Sequence, residues 1–564
     1  MPIASNQMDS AKIIAASHKH PRPNTVFTYG TAGFRMHANK LDSVMFRVGL
    51  LAVLRSKFHH GRVIGVMVTA SHNPEEDNGV KLVEPLGEML VQDWEVYATQ
   101  LANAATDDDL ISAVNAIVTS QSLSMSTLAR VIIGHDTRPS CPVLLASLQD
   151  GVDALGGELI QAGLKTTPQL HYLTRCLNTA GTPDAYGEPT EEGYFAKLSE
   201  AYKRIVDKNA PKTQVTVDAA NGVGAPMMKK LIDVIGTQHL NVNLVNDAVY
   251  VPGTLNHDCG ADYVKVGQKP PVGLDLKVGE RYCSLDGDAD RIVYYYKSQD
   301  DIFRLLDGDK IATLAAGFIM DLVRKSSVKV TRSDSSVSEV HVGLVQTAYA
   351  NGSSTTYVKN TLNVPVVFTP TGVKYLHHEA EHFDVGVYFE ANGHGTVLFS
   401  REAIRAFKSS KGSTTEAQDA LDTLVALTDL INQTVGDALS DMLMVEAILA
   451  CKNWSPSDWD AGYTDLPSRQ EKVKVSNRLA FVAINADTEL EKPDGLQAKI
   501  NEQVAKFPSG RSFVRPSGTE DVVRVYAEAD TQVNCDLLAN TICGIVFDEF
   551  GGVGQRPEKF VKLH

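Results

Sequence analysis

The sequence predicts an α/β protein that ends in a smaller α+β domain. Strand-like apolar runs such as Val63–Val68 and Gln214–Asp218 end in turn residues and lead into helix-like stretches, which is typical of parallel sheets. Residues 454–469, rich in Pro and Asp, are the best candidate for a linker. The shorter strand and helix patterns that follow them indicate the α+β domain.

Individual elements follow from the hydrophobic periodicity. Residues 307–325 and 414–451 have apolar positions at helical spacing, and the second stretch is long enough for one or two helices. Residues 364–369 and Val385–Phe389 are expected to be strands. In the last part of the chain we expect a strand at 479–483 and a helix at 495–504.

Length and composition restrict the class of protein. The chain has 564 residues, 43% of them hydrophobic and 21% charged, which is ordinary for a globular protein of several domains. A net charge of −15 argues against nucleic acid or an anionic membrane as a partner. No stretch reaches the ~20 apolar residues that a membrane span needs, and the seven cysteines are scattered without C-x-x-C spacing. We therefore expect a cytoplasmic protein.

A candidate nucleophile follows the strand Val63–Val68. Residues 69–74 read Thr-Ala-Ser-His-Asn-Pro, and the Asn-Pro pair forces a turn that presents Ser71 where ligands gather in α/β folds. An isolated serine hydroxyl is a weak nucleophile, so His72 and Lys81 are candidates to assist it. Standing alone, the segment would also suit a helix-capping turn.

A candidate metal site lies between two apolar strands. Residues 286–291 read Asp-Gly-Asp-Ala-Asp-Arg, so Asp286, Asp288 and Asp290 alternate with the two smallest residues. Hard cations such as Mg²⁺ prefer such oxygen ligands and commonly keep a position open for a phosphoryl oxygen. A solvated acidic turn is the alternative, but buried unpaired carboxylates would be costly.

A candidate phosphate loop occurs near the C-terminal end. Residues 511–519 read Arg-Ser-Phe-Val-Arg-Pro-Ser-Gly-Thr and combine guanidinium groups, hydroxyls and backbone donors, which together suit a phosphate. A surface turn with scattered basic residues would look similar. The candidate ligands are Arg515, Pro516, Ser517, Gly518, Thr519 and the nearby Arg524.

A candidate sugar loop follows the strand Val385–Phe389. Residues 390–395 read Glu-Ala-Asn-Gly-His-Gly, and a carboxylate, an amide and an imidazole can bind vicinal hydroxyls. The candidates are Glu390, Ala391, Asn392 and His394, although Asn-Gly and His-Gly also suit an ordinary turn. Lys374, in the turn-like stretch 369–374, could contact a phosphate, but a lone Lys there is usually solvated.

Taken together and in their order along the chain, with the loops at Ser71, Asp286, Glu390 and Arg515, the four loops resemble the signatures of the α-D-phosphohexomutase family. Residues 29–35, 134–138 and 166–169 fit as well, so that the resemblance extends from about Tyr29 to Tyr526. Within the family the chain most resembles the eukaryotic phosphoacetylglucosamine mutases. Two departures from the general family pattern support this resemblance. The sugar loop contains Ala391-Asn392, and the serine loop, residues 69–74, precedes an inserted stretch of about 92–128.

The resemblance implies an architecture. The family fold would be three similar α/β mixed-sheet domains plus a smaller C-terminal α+β domain around a central cleft. The boundaries would fall at 1–185 for the domain with the phosphoserine loop, 186–302 for the metal loop, 303–455 for the sugar loop and 456–564 for the phosphate loop.

The resemblance also implies a reaction and roles for the site residues. Phosphorylated Ser71, assisted by His72, Arg35 and Lys81, would pass its phosphate to N-acetylglucosamine 6-phosphate and recover it from a 1,6-bisphosphate. Mg²⁺ would bind the three aspartates and Ser71, and Arg291 would join the substrate-binding residues. The partner would be a hexosamine phosphate, without nucleic acid or membrane, and the protein a monomer or weak homodimer.

Three other functions remain open at this point. The same chemistry could act on glucose or mannose phosphate, because one sequence does not measure the room for an acetamido group. An aspartate-nucleophile phosphatase would use Asp286 as the nucleophile and make Ser71 dispensable. A catalytically silent phosphosugar-binding protein could also use this fold.

Overall fold

The computed structural model describes residues 8–206, 214–517 and 521–562, and the chain forms two compact units. The first unit comprises Met1–Asp307, His394–Thr396 and Ala426–Pro456, and the second comprises Gly308–Gly393, Val397–Val425 and Ser457–His564. Helices alternate with mixed sheets along most of the chain, which confirms the predicted α/β class. In the part of the chain described, no helix is both long and apolar enough to cross a bilayer.

The first sheet of the first unit is mixed and carries the serine loop. Its strand order is β1-β3-β2-β4-β5; β2, β4 and β5 run parallel, whereas β1, β3 and β2 pair antiparallel. Every residue of β2 is buried, as expected for a strand covered on both faces. The strands are β1 (Phe34–His37), β2 (Val63–Val68), β3 (Asp77–Val83), β4 (Arg130–His135) and β5 (Glu158–Leu164).

In the part of the chain that the structure describes, helices α1 to α6 accompany this sheet. Gly49 and Gly151 let α2 and α5 approach closely, since a Cβ at Gly151 would clash with the carbonyl oxygen of Phe46. The inserted stretch at 92–128 contains α3 and α4. The helices are α1 (Ser10–Ser17), α2 (Asp42–Phe58), α3 (Gln92–Asn103), α4 (Asp107–Ser120), α5 (Cys141–Ala154) and α6 (Thr167–Thr179).

The second sheet carries the acidic loop. Its order is β10-β9-β8-β6-β7, with β7, β6 and β8 parallel and β9 and β10 antiparallel, so that the loop 286–291 joins the antiparallel pair β8 and β9. The strands are β6 (Gln214–Asp218), β7 (Asn241–Val245), β8 (Arg281–Leu285), β9 (Ile292–Lys297) and β10 (Phe303–Leu306). The helices are α7 (Glu191–Val206), α8 (Gly224–Ile235) and α9 (Ala261–Gly267).

A third sheet, of order β14-β13-β15-β16, continues the α/β pattern, and β13 runs parallel to β14 and β15. The strands of this sheet are β13 (Val342–Thr347), β14 (Val366–Thr369), β15 (Val385–Phe389) and β16 (Gly395–Phe399), and β11 (Lys329–Thr331) and β12 (Val337–Glu339) form a separate antiparallel pair. The helices are α10 (Gly308–Ser326), α11 (Gly352–Tyr357), α12 (Val373–Ala380) and α13 (Arg401–Ser409). Each predicted element of this region occurs within two residues of its expected bounds.

The predicted helical stretch 414–451 forms two helices, α14 (Thr415–Leu430) and α15 (Ala438–Lys452). Asp437 ends the connection between them, and its side chain accepts from the backbone N–H groups of Leu439 and Ser440. Such an N-cap satisfies donors that have no partner within the helix. The cap therefore explains why the apolar pattern breaks into two helices.

The C-terminal part of the second unit has a three-stranded antiparallel sheet of order β17-β21-β20 and a hairpin of β18 and β19. The strand predicted at 479–483 is wrong in position, because Arg478–Ala480 form a 3₁₀ turn before β18 starts. The strands are β17 (Ser468–Lys474), β18 (Val482–Ile484), β19 (Glu489–Lys492), β20 (Arg511–Pro516) and β21 (Val522–Glu528). The helices are α16 (Pro456–Asp460), α17 (Leu496–Val504) and α18 (Gln532–Glu549).

Candidate active site

Ser71 lies three residues beyond β2, 1% exposed, with a left-handed backbone at φ 52°. Its N–H donates to Thr69 Oγ1 at 3.0 Å. Its hydroxyl donates to Asp286 Oδ2 at 2.6 Å. A non-glycine residue in this conformation is held by its surroundings and often marks a functional site. The fold thus brings the predicted nucleophile into direct contact with the predicted metal loop.

The serine loop is hydrogen-bonded by Arg138, whose side chain is fully buried. Its guanidinium donates to the carbonyl oxygens of Ser71 and Asn73, both at 2.9 Å. It also reaches the carbonyl oxygens of Pro74 at 2.6 Å and Asp77 at 3.1 Å. An arginine can satisfy so many acceptors because it offers five donors in a fixed plane. The loop that carries Ser71 is therefore fixed by a single buried cation.

Two further side chains complete this support. Asp136 accepts from Arg138 Nε at 3.0 Å and from Thr69 Oγ1 at 2.7 Å, which links the cation to the residue that caps the Ser71 N–H. Asn256 donates to the carbonyl oxygens of Ser71 at 2.8 Å and Asn73 at 3.0 Å. Burial, outweighing Arg138, raises the pKa of Asp136.

The aspartates at 286, 288 and 290 form a buried cluster with one carboxylate oxygen from each within 4.8 Å of the others. Gly287 is required between them, because a Cβ there would lie 2.6 Å from the carbonyl oxygen of Ser71. Asp288 Oδ2 accepts from Thr167 Oγ1 at 2.6 Å, whereas its buried Oδ1 accepts no hydrogen bond from the described residues. Buried oxygens without a donor fit a hard cation.

The pKa values of the cluster reflect this crowding. Burial and then the charges of Asp288 and Asp290 raise the pKa of Asp286 well above its ordinary value. Burial would raise the pKa of Asp290 as well, but His394 and Lys81 outweigh it and hold that pKa well below the usual range. The cluster therefore combines an excess of negative charge with cations at its edge.

Two of the predicted site residues supply those cations, and a third lies beside them. Lys81 Nζ lies 3.6 Å from Asp288 Oδ2 and 3.3 Å from Asp290 Oδ2. Arg291 Nε lies 3.7 Å from Asp290 Oδ1. His394 was predicted to contact a sugar, and its Nδ1 lies 3.2 Å from Asp290 Oδ1. Lys81 comes from β3 and Arg291 follows the acidic loop, so several separate segments converge here.

His72 and Arg35 lie beside Ser71 and Asn73, respectively. His72 Nδ1 is 3.4 Å from Ser71 Oγ, and burial followed by the charge of Arg291 lowers the pKa of His72 to about 4. The imidazole is therefore neutral at pH 7 and can accept a proton. Arg35 donates to Asn73 Oδ1 at 3.2 Å, and burial and Arg291 lower its pKa. A cavity of about 170 Å³ is lined in part by His72 and by Asn256, which donates to the carbonyl oxygen of Ser71.

The predicted phosphate residues lie in the second unit on a row of cations. Arg515 on β20 is the cross-strand partner of Arg524 on β21, and Arg524 is also opposite Lys472 on β17. Like charges placed directly opposite each other destabilise a sheet unless an anion offsets them. Ser517 is buried, and its N–H donates to the carbonyl oxygen of Val522 at 3.0 Å. Pro516 ends β20, while Gly518 and Thr519 lie outside the described residues.

The rest of the predicted sugar loop also lies in the second unit. Asn392 Nδ2 donates to Glu390 Oε2 at 3.2 Å, and Gly393 N–H donates to the carbonyl oxygen of Glu390 at 2.8 Å, which closes a tight turn around Ala391. Lys374 lies in the first turn of α12. The carboxylate of Glu390 and the amide of Asn392 are thus adjacent and hydrogen-bonded to each other.

Family models match four stretches of the chain. Two are described as "Phosphoacetylglucosamine mutase AMG1", domain II over residues 186–293 and domain III over residues 307–454. Two are described as phosphoglucomutase/phosphomannomutase, the alpha/beta/alpha domain I over residues 51–107 and 97–182 and the C-terminal domain over residues 472–544.

Full-length relatives match the chain over nearly its whole length. Phosphoacetylglucosamine mutase from Sus scrofa is 52% identical over 557 residues, which cover 98% of this chain and 99% of the relative. The chain belongs to the phosphoacetylglucosamine mutase family. A structure of Aspergillus fumigatus N-acetylphosphoglucosamine mutase has a TM-score of 0.92 at 50% identity, covering 97% of this chain and 99% of that one. Another, in complex with GlcNAc-6P and magnesium, has a TM-score of 0.91 at 51% identity, covering 96% and 99%.

The sequence assigned no role to three residues that contact or pair with predicted site residues in the structure: Thr167, Asn256 and Lys472. Thr167 begins α6 inside the capping box of Thr166 and Gln169, a signal that predicts a helix start but not a contact with Asp288. Asn256 lies in an irregular segment with no motif around it. Lys472 could have been found from its place on an alternating strand, had the pairing of β17 with β21 been known.

Proposed function

We propose that the protein interconverts N-acetylglucosamine 6-phosphate and N-acetylglucosamine 1-phosphate through phosphorylated Ser71 and a 1,6-bisphosphate. The product would supply the synthesis of UDP-N-acetylglucosamine. The observation that carries the proposal is the 2.6 Å hydrogen bond between Ser71 Oγ and Asp286 Oδ2, which joins the proposed nucleophile to a buried carboxylate cluster. A cation on that cluster and a phosphate on that serine would be neighbours.

Each half-reaction transfers one phosphoryl group. The free hydroxyl oxygen of the sugar bonds to phosphorus, the bond between phosphorus and Ser71 Oγ breaks, and the hydroxyl proton leaves to a base. After the bisphosphate turns round, Ser71 Oγ bonds to the phosphorus of the other phosphoryl group and the bond from that phosphorus to the sugar oxygen breaks. The sugar oxygen takes a proton back from the base, and the sugar monophosphate is released. His72, Arg35 and Lys81 are the candidates for proton transfer and charge stabilisation, because they lie around Ser71 and the cluster.

The cluster suits Mg²⁺ as the cofactor. Asp286, Asp288 and Asp290 would hold the ion together with Ser71, and the ion would neutralise charge on the transferring group. Phosphoryl transfer depends mainly on positioning and electrostatic stabilisation. The cations at the edge of the cluster, Lys81 and Arg291, supply further positive charge.

The second unit would bind the rest of the substrate. Arg515, Ser517 and Arg524, with Pro516, Gly518 and Thr519 as further candidates, would hold the phosphate that is not reacting. Glu390, Ala391 and Asn392 would contact the sugar hydroxyls, His394 would act from its place beside Asp290, and Lys374 would meet a phosphate. The row of cations on the sheet supports this assignment, because it provides the positive charge that an acidic protein needs locally for an anionic substrate.

The choice of sugar is tested by comparing two substrates with one preparation. We expect kcat/KM for N-acetylglucosamine 6-phosphate to exceed that for glucose 6-phosphate by about tenfold or more, since a site built for a polar substituent discriminates against its absence. A coupled assay of each 1-phosphate product gives the two values. Equal or better use of glucose 6-phosphate would instead assign the chain to phosphoglucomutase chemistry.

The support from Arg138 leads to a second prediction. Arg138→Lys keeps the charge beside Asp136 but cannot reproduce the planar set of bonds to the serine loop. We expect kcat to fall about ten- to a hundredfold, because a small displacement of a reacting group is costly, while KM changes little. Steady-state kinetics measure both constants.

The matched control is Arg130→Lys, because Arg130 donates to the carbonyl oxygen of Gly61 and does not touch the serine loop. Thermal melting of both variants separates loss of fold from loss of positioning. An unchanged kcat in Arg130→Lys with a reduced one in Arg138→Lys is the expected pair. Equal kcat values in the two variants would contradict a positioning role for Arg138.

The remaining expectations are part of the same proposal. We place the domains at 1–185, 186–302, 303–455 and 456–564, and propose a cytoplasmic monomer or weak homodimer without nucleic acid or membrane partners. The matched family segments support the domain division, and the seven free cysteines support a reducing compartment.

A further inference from the structure

An acidic side chain lies inside the phosphate site of the second unit. Asp487 Oδ2 is 3.5 Å from Arg515 Nε, and the two side chains are only 18% and 19% exposed. The same oxygen accepts from the backbone N–H of Thr371 at 2.9 Å and from its hydroxyl at 2.8 Å. A guanidinium, a hydroxyl and a backbone N–H are the donors that proteins use for phosphate. The carboxylate of Asp487 therefore accepts from donors that would also suit the phosphate of the substrate.

The hairpin of β18 and β19 fixes this carboxylate in place. Asn485, Ala486 and Asp487 have positive φ angles of 51°, 57° and 66° in succession at its turn. Asparagine and aspartate adopt such a backbone more readily than most residues, but it is costly for Ala486, so the turn is held in a defined conformation. Thr371 lies in the stretch 369–374 that the sequence singled out as a candidate phosphate contact. Asp487 thus lies between two segments expected to face a phosphate.

We propose that Asp487 is a built-in competitor for the non-reacting phosphate. This inference rests on the proposed function. The bisphosphate must turn round between the two half-reactions, so the second unit must release one phosphate and bind the other in each cycle. When the phosphate leaves, the carboxylate of Asp487 pairs with Arg515 and accepts hydrogen bonds from Thr371. When a phosphate arrives, its charge displaces the carboxylate from these groups. The competitor limits how tightly the phosphate is held and so allows the exchange.

The test replaces the charge and keeps the shape. Asp487→Asn retains an acceptor for Thr371, and asparagine tolerates the positive φ at this position. In a Ser71→Ala background, which prevents turnover, calorimetry with Mg²⁺ measures the Kd of N-acetylglucosamine 6-phosphate. We expect the Kd to fall about two- to tenfold in Asp487→Asn, the range of a partly exposed ion pair. The Kd of unphosphorylated N-acetylglucosamine should stay unchanged.

Two further variants make the result specific. Asp487→Gly removes the carboxylate and suits the backbone, so it should shift the Kd in the same direction. Asp494→Asn is the matched control, because Asp494 belongs to the same part of the chain but is 85% exposed and pairs with Lys492. It should leave the Kd unchanged. With Ser71 intact, Asp487→Asn should also lower KM for the sugar phosphate.

The outcomes separate this inference from the function on which it rests. If the parent binds the sugar phosphate and both Asp487 variants bind it equally or more weakly, Asp487 is a structural contact and the inference is overturned. If the parent shows no binding that depends on the phosphate, the proposed function fails and the inference fails with it. Tighter binding in both Asp487 variants but not in Asp494→Asn supports the competitor.

Discussion

Replacing Ser71 with alanine is expected to abolish the conversion of N-acetylglucosamine 6-phosphate, with kcat lowered at least about a thousandfold, as for other enzymes that lose their nucleophile. The hydroxyl that contacts Asp286 is the atom that would carry the phosphoryl group, and alanine removes it without adding bulk to a buried site. A coupled assay of N-acetylglucosamine 1-phosphate measures the loss. Intact-mass analysis should show a phosphorylated fraction in the parent that is missing in the variant.

The control for this experiment is Ser126→Ala in the same unit. Ser126 is exposed, and its hydroxyl lies 2.9 Å from that of Ser124, so its removal should change neither turnover nor the phosphorylated fraction at Ser71. Retained turnover in Ser71→Ala together with release of inorganic phosphate would point to Asp286 as the nucleophile. That outcome would replace the mutase mechanism by phosphatase chemistry.

The strands and the loops that follow them could be predicted because their signals are local. The strands Val63–Val68 and Val385–Phe389 occur at the predicted residues, since an apolar run bounded by turn residues favours a buried strand. The start of a helix at Gly308 and the division of residues 414–451 into two helices are also determined by residues close in sequence. The strand expected at 479–483 fails for the converse reason: a short, exposed hairpin has a weak hydrophobic pattern.

The contacts within the site could be predicted only in part. The alternation of Asp286, Asp288 and Asp290 indicates a metal loop, because the three ligands are close in sequence. The support of Ser71 by Arg138 and Asn256 joins segments that are far apart in the chain, and no local pattern records it. His394 shows the same limit, because a glycine-rich turn indicates a ligand loop but not that its imidazole meets Asp290. Tertiary pairing, rather than propensity, determines these contacts.

Replacing Asp288 with asparagine is expected to have opposite effects on catalysis and on the stability of the metal-free protein. Burial and the charges of Asp288 and Asp290 raise the pKa of Asp286 well above its ordinary value, so without a cation the three neighbouring carboxyl groups leave the cluster with an excess of negative potential. The substitution would reduce that excess and keep an acceptor for Thr167, so we expect the melting temperature without metal to rise by about 1–3 °C. Turnover should fall at least about a hundredfold, since even residues outside the ligand shell of a metal change activity by up to that factor.

The two effects are measured by thermal melting with EDTA and with Mg²⁺, and by the coupled assay. A ligand that binds only the folded state raises the melting temperature, so the parent should gain stability from Mg²⁺ and Asp288→Asn should lose most of that gain. Asp300→Asn, an exposed change in the loop between β9 and β10, should behave like the parent. If Asp288→Asn melted lower in EDTA and still gained fully from Mg²⁺, the three carboxylates would not form the metal site. Their burial together would then need another source of positive charge. The expected result is that Asp288→Asn melts at a higher temperature than the parent in EDTA and at a lower temperature in Mg²⁺. This reversal would show that the acidic cluster destabilises the metal-free protein and that the bound cation restores the lost stability.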